Sequence, residues 1–154
     1  MRTSFRLLTA LGFAGALSFT GVAGAEYGPP EAAPAALSSA KTQAKETKRA
    51  VMLVFGADWC KDCRVLESEM AKPELAGKLA ARYLIVKVNV DRFDRNTDIA
   101  ERYGVPLKKG IPAVAVIAPD DRVLAATAAG ELASARSMSA AGISSFLLGL
   151  PQAK

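Results

Sequence analysis

Apolar and polar positions follow two kinds of pattern along the chain, and the order of these patterns predicts its elements. Residues 51–55 are continuously apolar, which indicates a strand covered on both faces of a sheet. After Cys60 the apolar positions recur at helical spacing, and Pro73 is expected to kink or restart that helix. Residues 84–90 return to a pattern rich in β-branched residues. Strand, helix and strand at this spacing predict a right-handed βαβ unit.

The second half of the chain predicts a short helix, a hairpin and a final helix. Asn96 or Thr97 is expected to cap the short helix, and Gly104 to end it. Residues 113–118 and 123–127 are expected to form an antiparallel hairpin. Apolar residues at helical spacing then predict a last helix: Ile143, Phe146, Leu147 and Leu150. The expected architecture is an α/β fold with a mixed four-stranded sheet flanked by helices.

The N-terminal region has a different pattern, which is typical of a targeting segment. Two arginines precede an uncharged apolar stretch that ends in an A-x-A sequence. This predicts a secretory signal peptide over residues 1–25, cleaved near Ala25-Glu26. Glycines and hydroxyl-bearing residues dilute the apolar centre too much for a membrane anchor. The mature chain is therefore expected to be periplasmic or secreted.

The residues that follow the signal peptide predict a leader and then a polar helix. Residues 26–36 are rich in Pro, Gly and Ala, without apolar periodicity, and are expected to form a flexible leader. A polar helix is expected from Ser38 to Arg49, with Ser38 or Ser39 as its cap. The folded domain is therefore expected over residues 37–150.

The composition places the chain among globular proteins and excludes several classes of chemistry. It has 154 residues, of which 51% are hydrophobic and 23% charged, as expected for a single domain. The absence of histidine excludes a Ser-His-Asp triad, a Cys-His pair and a His-ligated metal within this chain. The 20 basic and 15 acidic side chains form no basic cluster with interleaved aromatics, so no nucleic-acid partner is expected.

The two cysteines, Cys60 and Cys63, lie where the first buried strand gives way to a helix. At a helix N-terminus the unpaired N–H groups and the helix dipole favour a thiolate, which is the attacking species in disulfide exchange. Cys60 is therefore expected to be the nucleophile and Cys63 the resolving thiol. Two alternatives stay open: a structural disulfide, which would close a very short loop and stabilise little, and part of a metal site, which would need ligands from elsewhere.

The segment A-D-W-C-K-D-C-R after V-M-L-V-F, with G-I-P-A-V about fifty residues later, resembles the thioredoxin superfamily over about residues 38–149. Within it, the chain is similar to extracytoplasmic proteins related to the C-terminal domain of transmembrane thiol:disulfide interchange reductases. The resemblance implies a thioredoxin-like fold and an exported thiol:disulfide oxidoreductase that reduces or exchanges disulfides in partner proteins. It also implies a membrane-bound electron donor. The thiol chemistry requires no dissociable cofactor, and a monomer without a bound metal is expected.

The family's site residues carry over position by position. The resemblance gives Cys60 and Cys63 the attacking and resolving roles, and makes Trp59 the aromatic residue that shields them. It implies that Pro112 is a cis-proline facing the disulfide, with the backbone of Ile111 pairing with a substrate strand. The alternative for Pro112 is a trans-proline that starts a buried strand.

Two other positions match the family, and one departs from it. Gly130 matches a glycine beside the active-site groove, although a plain turn would also use glycine. Lys87, inside an apolar strand, matches a lysine near the cysteines, with a water-facing lysine on an edge strand as the alternative. The usual partner of that lysine is a buried acid at the position where this chain has Val54. Without that acid, nothing is expected to deprotonate Cys63, and substrate reduction is expected to be slow.

The residues between the cysteines leave the direction of electron flow open. Lys61 is expected to stabilise the thiolate, and Asp62, expected to be exposed, to oppose it. A disulfide-donating oxidant is therefore an alternative, although neither an inserted helical domain nor a dimerisation domain, which such relatives usually carry, is expected here. A thioredoxin-fold chaperone or a module that binds a soft metal such as Cu(I) is another alternative.

Overall fold

The structure, a computed structural model, describes residues 27–153 of the chain. The predicted signal peptide, residues 1–25, lies outside the described residues. The elements follow the predicted order of strands and helices. In chain order they are α1 (Ala32–Thr47), β1 (Ala50–Gly56), α2 (Lys61–Met70), α3 (Pro73–Arg82), β2 (Tyr83–Asn89), α4 (Thr97–Arg102), a 3-10 turn (Leu107–Lys109), β3 (Ala113–Ile117), β4 (Val123–Ala126), a second 3-10 turn (Ala135–Ser137) and α5 (Ala140–Gly149).

Strand β1 lies inside a four-stranded sheet with the order β2-β1-β3-β4. It pairs in parallel with β2 and antiparallel with β3, and β4 extends the sheet antiparallel to β3. All seven residues of β1 are buried, which explains why this segment is continuously apolar. The predicted mixed sheet of four strands is confirmed.

Helices pack around the sheet, and the first turn of α2 lies at the carboxyl end of β1. Helix α1 contacts β1 and β2, whereas α2 contacts α3 and α5. The predicted apolar stripe of α2 is buried, with Cys63 and Leu66 fully enclosed. Pro73 lies at the start of α3, where its missing N–H costs no helical hydrogen bond, so it restarts the helix as predicted. Because β1 leads directly into the loop before α2, Cys60 lies where the buried strand ends.

The prediction of a flexible leader is wrong in its second half. Helix α1 begins at Ala32, well before the expected start at Ser38, so the folded domain begins before residue 37. Pro34 lies in the first helical turn, where the backbone N–H has no partner within the helix, and therefore does not block it. Neither Ser38 nor Ser39 caps the helix, which follows Glu31 without a side-chain cap. The buried side chains recur at helical spacing: Ala33, Leu37, Ala40 and Ala44.

The residues before α1 brace two loops, the one after β1 and the one between β2 and α4. The side chain of Asn96, expected to cap α4, takes part in this brace, and α4 has no side-chain cap. The Tyr27 ring is buried and covers Gly56, where any side chain would overlap it. Three hydrogen bonds form the brace: Tyr27 N–H to Asp58 Oδ1 (3.0 Å), Asn89 Nδ2 to the Gly28 carbonyl (2.6 Å), and Asn96 Nδ2 to the Pro30 carbonyl (2.9 Å).

The carboxylate of Asp121, in the turn between β3 and β4, joins three parts of the fold. It accepts hydrogen bonds from Tyr103 Oη (2.8 Å) and Arg102 Nη2 (2.5 Å) at the end of α4. It also forms an ion pair with Lys41 Nζ of α1 (2.7 Å). Burial acts to raise the pKa of Asp121, but these partners outweigh it and hold the pKa below its ordinary value of 3.8.

The Asp121→Asn variant is expected to lose about 1 to 2 kcal/mol of unfolding free energy at pH 7, because its hydrogen bonds lose their charge assistance. Asparagine tolerates the left-handed backbone at this position (φ 73°), so the change isolates the charge. Because the folded-state pKa is lowered, the carboxylate stabilises the fold above about pH 4, and this contribution is lost as the pH falls through the folded-state pKa. Denaturant unfolding of both proteins at pH 7 and in acid checks the expectation.

The control is Asp120→Asn, because Asp120 is exposed and lies in the same turn. This variant is expected to unfold like the wild type at every pH. A difference between Asp121→Asn and the wild type that persists unchanged into strong acid would contradict the role assigned to the carboxylate charge.

Candidate active site

Cys60 and Cys63 form a disulfide across the first turn of α2, with their Cα atoms 5.2 Å apart. Cys60 is the N-cap residue of α2, and the backbone N–H of Cys63 donates to Cys60 Sγ at 3.2 Å. Cys63 is fully buried, whereas Cys60 is 5% exposed. When the disulfide is reduced, this N–H and the helix dipole favour a thiolate at Cys60, the cysteine that a partner molecule reaches first.

The loop before β3 lies directly against the disulfide. The peptide bond between Ile111 and Pro112 is cis, as predicted, and both residues are buried. The carbonyl oxygen of Ile111 lies 3.6 Å from Cys60 Sγ. The loop therefore forms one wall of the surface at which Cys60 would meet another sulfur atom.

Gly130 supports this loop from the other side. Its φ is 82°, and a Cβ there would lie 2.6 Å from the carbonyl oxygen of Lys109. Only glycine satisfies both the backbone conformation and the close approach. Because Lys109 leads into Gly110 and Ile111, Gly130 helps to set the position of the loop that contacts Cys60.

Trp59 and Phe93 form the other wall of the cleft at the disulfide. Trp59 is 53% exposed, and its Nε1–H donates to the carbonyl oxygen of Asp91 at 2.9 Å, which fixes the indole ring. The Phe93 ring meets it edge to face, with the ring centroids 6.0 Å apart. A cleft of about 420 Å³ lies between these rings, Cys60 and Ile111. Trp59 lies where the sequence predicted, but Phe93 was not predicted, because its loop has no periodic pattern.

The structure contains a buried acid on α2 that was not predicted from the sequence. Glu67 of α2 is 5% exposed and forms an ion pair through Oε2 with Lys87 Nζ of β2. Lys87 also lies over the Tyr27 ring, 5.4 Å from its centroid. Strand β2 is an edge strand, but Lys87 is held by a buried partner. The alternative interpretation, that Lys87 simply faces water, is therefore wrong. On the sheet, Lys87 lies opposite Val54, so the acid reaches it from α2 instead of β1.

Glu67 follows Cys63 by one helical turn, which places both side chains on the same face of α2. Its second oxygen, Oε1, is buried and has no hydrogen-bond partner among residues 27–153. Glu67 was expected to point away from the apolar stripe of α2, so its burial was not predicted. The spacing of four residues from Cys63, together with a lysine inside a strand that needs a partner, was the available signal.

Asp62, between the cysteines, is paired instead of exposed. Its Oδ1 accepts the backbone N–H of Arg136 (2.9 Å), and its Oδ2 accepts from Arg136 Nε (3.1 Å), so its side chain is only 14% exposed. Arg136 lies in the second 3-10 turn, which packs on α2. The negative charge that was expected to oppose the thiolate is therefore compensated. Lys61 is exposed and forms no ion pair within the described part of the chain.

Curated relatives of the chain include thioredoxins. Thioredoxin 1 of Chlorobaculum tepidum is 38% identical over 64 residues, which are 42% of this chain and 55% of that protein. The thioredoxin of Thiocapsa roseopersicina is 34% identical over 62 residues, which are 40% of this chain and 59% of that protein. The chain thus spans little more than half the length of these relatives.

A solved structure from Xylella fastidiosa shows a similar fold over more of the chain. The crystal structure of a disulphide isomerase from Xylella fastidiosa is 39% identical, covers 76% of this chain and 89% of that one, and has a TM-score of 0.73. The reduced C-terminal domain of DsbD from Neisseria meningitidis is 26% identical, covers 60% of this chain and 81% of that one, and has a TM-score of 0.49. Between residues 27 and 153, no helix is both long and apolar enough to span a bilayer.

A family model described as thioredoxin-like matches residues 32–119, which is more than half of the chain. The match begins at α1 and includes the cysteine pair, the cis-proline loop and β3. It agrees with the mixed sheet and with the Cys60–Cys63 disulfide at the start of α2. This chain therefore belongs to the thioredoxin-like family.

Proposed function

We propose that the protein is an exported thiol:disulfide oxidoreductase that reduces or exchanges disulfides in partner proteins. The observation that carries this proposal is the position of Cys60. It is the N-cap of α2, it accepts the Cys63 N–H, and it faces the carbonyl oxygen of Ile111. This arrangement stabilises a thiolate and leaves one side of it open to a second sulfur atom.

In the reducing direction, the Cys60 thiolate attacks one sulfur of a partner disulfide. The new bond is a mixed disulfide, and the other partner sulfur leaves as a thiolate that takes up a proton. Cys63 then loses its proton and attacks Cys60 Sγ, which releases the second partner thiolate. The partner gains two electrons, and the Cys60–Cys63 disulfide of the structure is formed. Reversal of the same steps would donate a disulfide.

Glu67 is the group that takes the proton from Cys63 in this scheme. It lies one turn from Cys63 on α2, and its buried Oε1 has no other hydrogen-bond partner among the described residues. The ion pair with Lys87 holds the carboxylate through Oε2 and leaves Oε1 available. Glu67 of α2 thus takes the place of the buried acid that the family has at the position of Val54 in β1.

The proposed location and electron supply rest on the sequence. The N-terminal pattern favours export, and a chain that has become oxidised must be reduced again by a dithiol donor before its next cycle. We propose a membrane-bound donor and a monomeric working form, with disulfide-bearing proteins as substrates and no dissociable cofactor. The thiol and disulfide chemistry above needs only the two cysteines and Glu67.

The test is the midpoint potential of the Cys60/Cys63 couple, measured by equilibration in glutathione buffers with mass-spectrometric readout. A value near about −270 mV indicates a reductant, and one near about −120 mV indicates a disulfide donor. The reduced protein is then mixed with oxidised insulin as a model substrate. A pair that no thiol buffer reduces, or a reduced protein that leaves the insulin disulfides intact, would overturn the proposal.

The Arg136→Met variant is expected to lower the midpoint potential by roughly 10 to 30 mV. Loss of the guanidinium leaves the Asp62 carboxylate uncompensated beside Cys60, which destabilises the thiolate of the reduced form. Equilibration in glutathione buffers measures the shift. In an Asp62→Asn background the same arginine change should leave the potential unaltered, and an equal shift in both backgrounds would refute the electrostatic explanation.

A further inference from the structure

Two of the four exposed large hydrophobic side chains of the described chain lie together beside the disulfide. Trp59 is 53% exposed and Phe93 is 41% exposed, and their rings are in contact. The other two, Ile85 and Val123, lie on the edge strands β2 and β4. The cleft at Cys60 is thus bordered by a concentrated apolar surface, which in soluble proteins marks interaction sites.

The loop between β2 and α4 holds Phe93 at the surface in an unfavourable backbone conformation. Phe93 has a φ of 66°, and two other residues of the loop are also left-handed, Asp91 at 46° and Asn96 at 52°. A bulky residue rarely adopts this conformation, and such positions persist only where the surroundings enforce them. Hydrogen bonds enforce it here: Asp91 N–H to Asn89 Oδ1 (2.9 Å), Phe93 N–H to the Val90 carbonyl (2.8 Å) and Asn96 Nδ2 to the Asn89 carbonyl (2.7 Å).

An apolar cavity adjoins the cleft at Phe93 and Gly110. This Phe93 pocket has a volume of about 670 Å³. Phe93 and Gly110 line both the pocket and the cleft at Cys60, so the two spaces adjoin along one surface. The residues that give the pocket its apolar character are Phe93, Ala100, Val105, Pro106 and Leu107. A chain that reacts at Cys60 therefore has room for an apolar side chain nearby.

The rim of this surface is basic. Lys61 lines the cleft, Lys108 lines the pocket, and Arg92 lies beside the Trp59 and Phe93 rings. All three are exposed, and none of them forms an ion pair within residues 27–153. The acid at the cleft, Asp62, is already paired with Arg136, and Glu101 is the acid that lines the pocket. On the Phe93 loop, exposed Asp94 offsets Arg92. Among the side chains that line the cleft and the pocket, Lys61 and Lys108 outnumber Glu101 as free charges, which complements acidic side chains on a partner.

We propose that the Phe93 pocket is a second subsite for partner proteins. It takes a bulky apolar side chain from an extended segment of the partner, close to the cysteine that reacts with Cys60. Acidic side chains beside that apolar residue meet Lys61, Arg92 and Lys108. The nature of the partner rests on the proposed function, but binding at the pocket requires no redox step. The pocket thereby selects among disulfides by the residues that flank them.

The fluorescence of Trp59 tests this directly, because it is the only tryptophan of the chain and it contacts Phe93. The oxidised protein is titrated with two unstructured peptides that carry serine in place of cysteine. One peptide has leucine and two glutamates beside the serine, and the other has alanine and two lysines. The leucine–glutamate peptide is expected to bind about tenfold more tightly, with a Kd that rises with salt. Equal Kd values for the two peptides would overturn the proposal.

The Phe93→Asn variant removes the ring and keeps the loop, because asparagine tolerates the left-handed backbone. It is expected to weaken binding of the leucine–glutamate peptide about tenfold. Val123→Asn, which removes another exposed apolar side chain, is the control and is expected to bind like the wild type. If Phe93→Asn binds the leucine–glutamate peptide as tightly as the wild type, the subsite is overturned. It is also overturned if neither peptide binds and the wild-type protein is a dimer that Phe93→Asn dissociates, because the apolar surface is then a contact between two copies of the chain.

Reduction of oxidised glutathione by the wild-type protein separates this proposal from the proposed function. A protein that reduces glutathione disulfide but shows equal peptide affinities overturns the subsite alone. A protein that prefers the leucine–glutamate peptide through Phe93, yet reduces no disulfide, supports the subsite and overturns the proposed function.

Discussion

The Cys60→Ser variant is expected to lose disulfide exchange by a factor on the order of 10³ or more, whereas Cys63→Ser is expected to stall as a mixed disulfide. A serine hydroxyl does not ionise near neutral pH, so the first variant has no nucleophile at the open side of the cleft. The second variant keeps the thiolate that the start of α2 stabilises, but has nothing to attack Cys60 Sγ. Incubation with oxidised glutathione and measurement of the intact mass distinguishes the two results.

The doubly substituted protein, with both cysteines changed to serine, controls for adducts formed elsewhere, since the chain has no other cysteine. A Cys60→Ser protein that forms the adduct through Cys63 would reverse the assigned roles. That result would conflict with the burial of Cys63, which is fully enclosed beneath the first turn of α2.

The Glu67→Gln variant is expected to slow resolution of the mixed disulfide on the order of 10²-fold at pH 7, and to leave the attack by Cys60 unchanged. Glutamine has nearly the same shape and still accepts a hydrogen bond from Lys87, but it takes no proton from Cys63. The rate of resolution should therefore rise with pH, as hydroxide replaces the missing base. Stopped-flow measurement of the rate of each step between pH 6 and pH 9 checks this expectation.

Glu69→Gln is the matched control for this experiment. Glu69 lies on the same helix, but it forms an ion pair with the exposed Lys72 instead of a buried partner. Its removal changes the net charge equally and is expected to leave both steps at the wild-type rate. If Glu67→Gln resolved the mixed disulfide as fast as Glu69→Gln, with the same dependence on pH, Glu67 would have no part in the proton transfer.

The strands and the cysteine site could be predicted because their signals are local. The apolar run of β1, the first turn of α2 and the proline before β3 each occupy a few consecutive residues. A continuous apolar run indicates a strand covered on both faces wherever it occurs. A cysteine just before a helical pattern lies at the helix N-terminus, where the helix dipole favours its thiolate. The structure confirms the mixed four-stranded sheet that these signals imply, and it contains the cis bond before Pro112.

Glu67 and Phe93 could not be predicted in the same way, because other elements decide their environments. Glu67 is buried because Lys87 of β2 reaches it, and no pattern within α2 shows this. Phe93 is held outward because Asn89 Oδ1 accepts the Asp91 N–H and Asn96 Nδ2 donates to the Asn89 carbonyl, and neither asparagine gives a periodic signal. Residues 32–36 were predicted to be flexible because the segment is rich in Pro, Gly and Ala without apolar periodicity, although the first turn of a helix tolerates Pro34.

The brace formed by residues 27–30 has a consequence for how the protein would lose activity on heating. Its hydrogen bonds reach Asp58, next to Trp59, and Asn89 and Asn96, at the two ends of the loop that carries Phe93. A short segment outside the sheet opens locally at lower free energy than a central strand such as β1. Detachment of residues 27–30 would loosen the Trp59 and Phe93 wall of the cleft while the sheet stays intact. Thermal inactivation would then precede global melting, and amide exchange would report the two events separately.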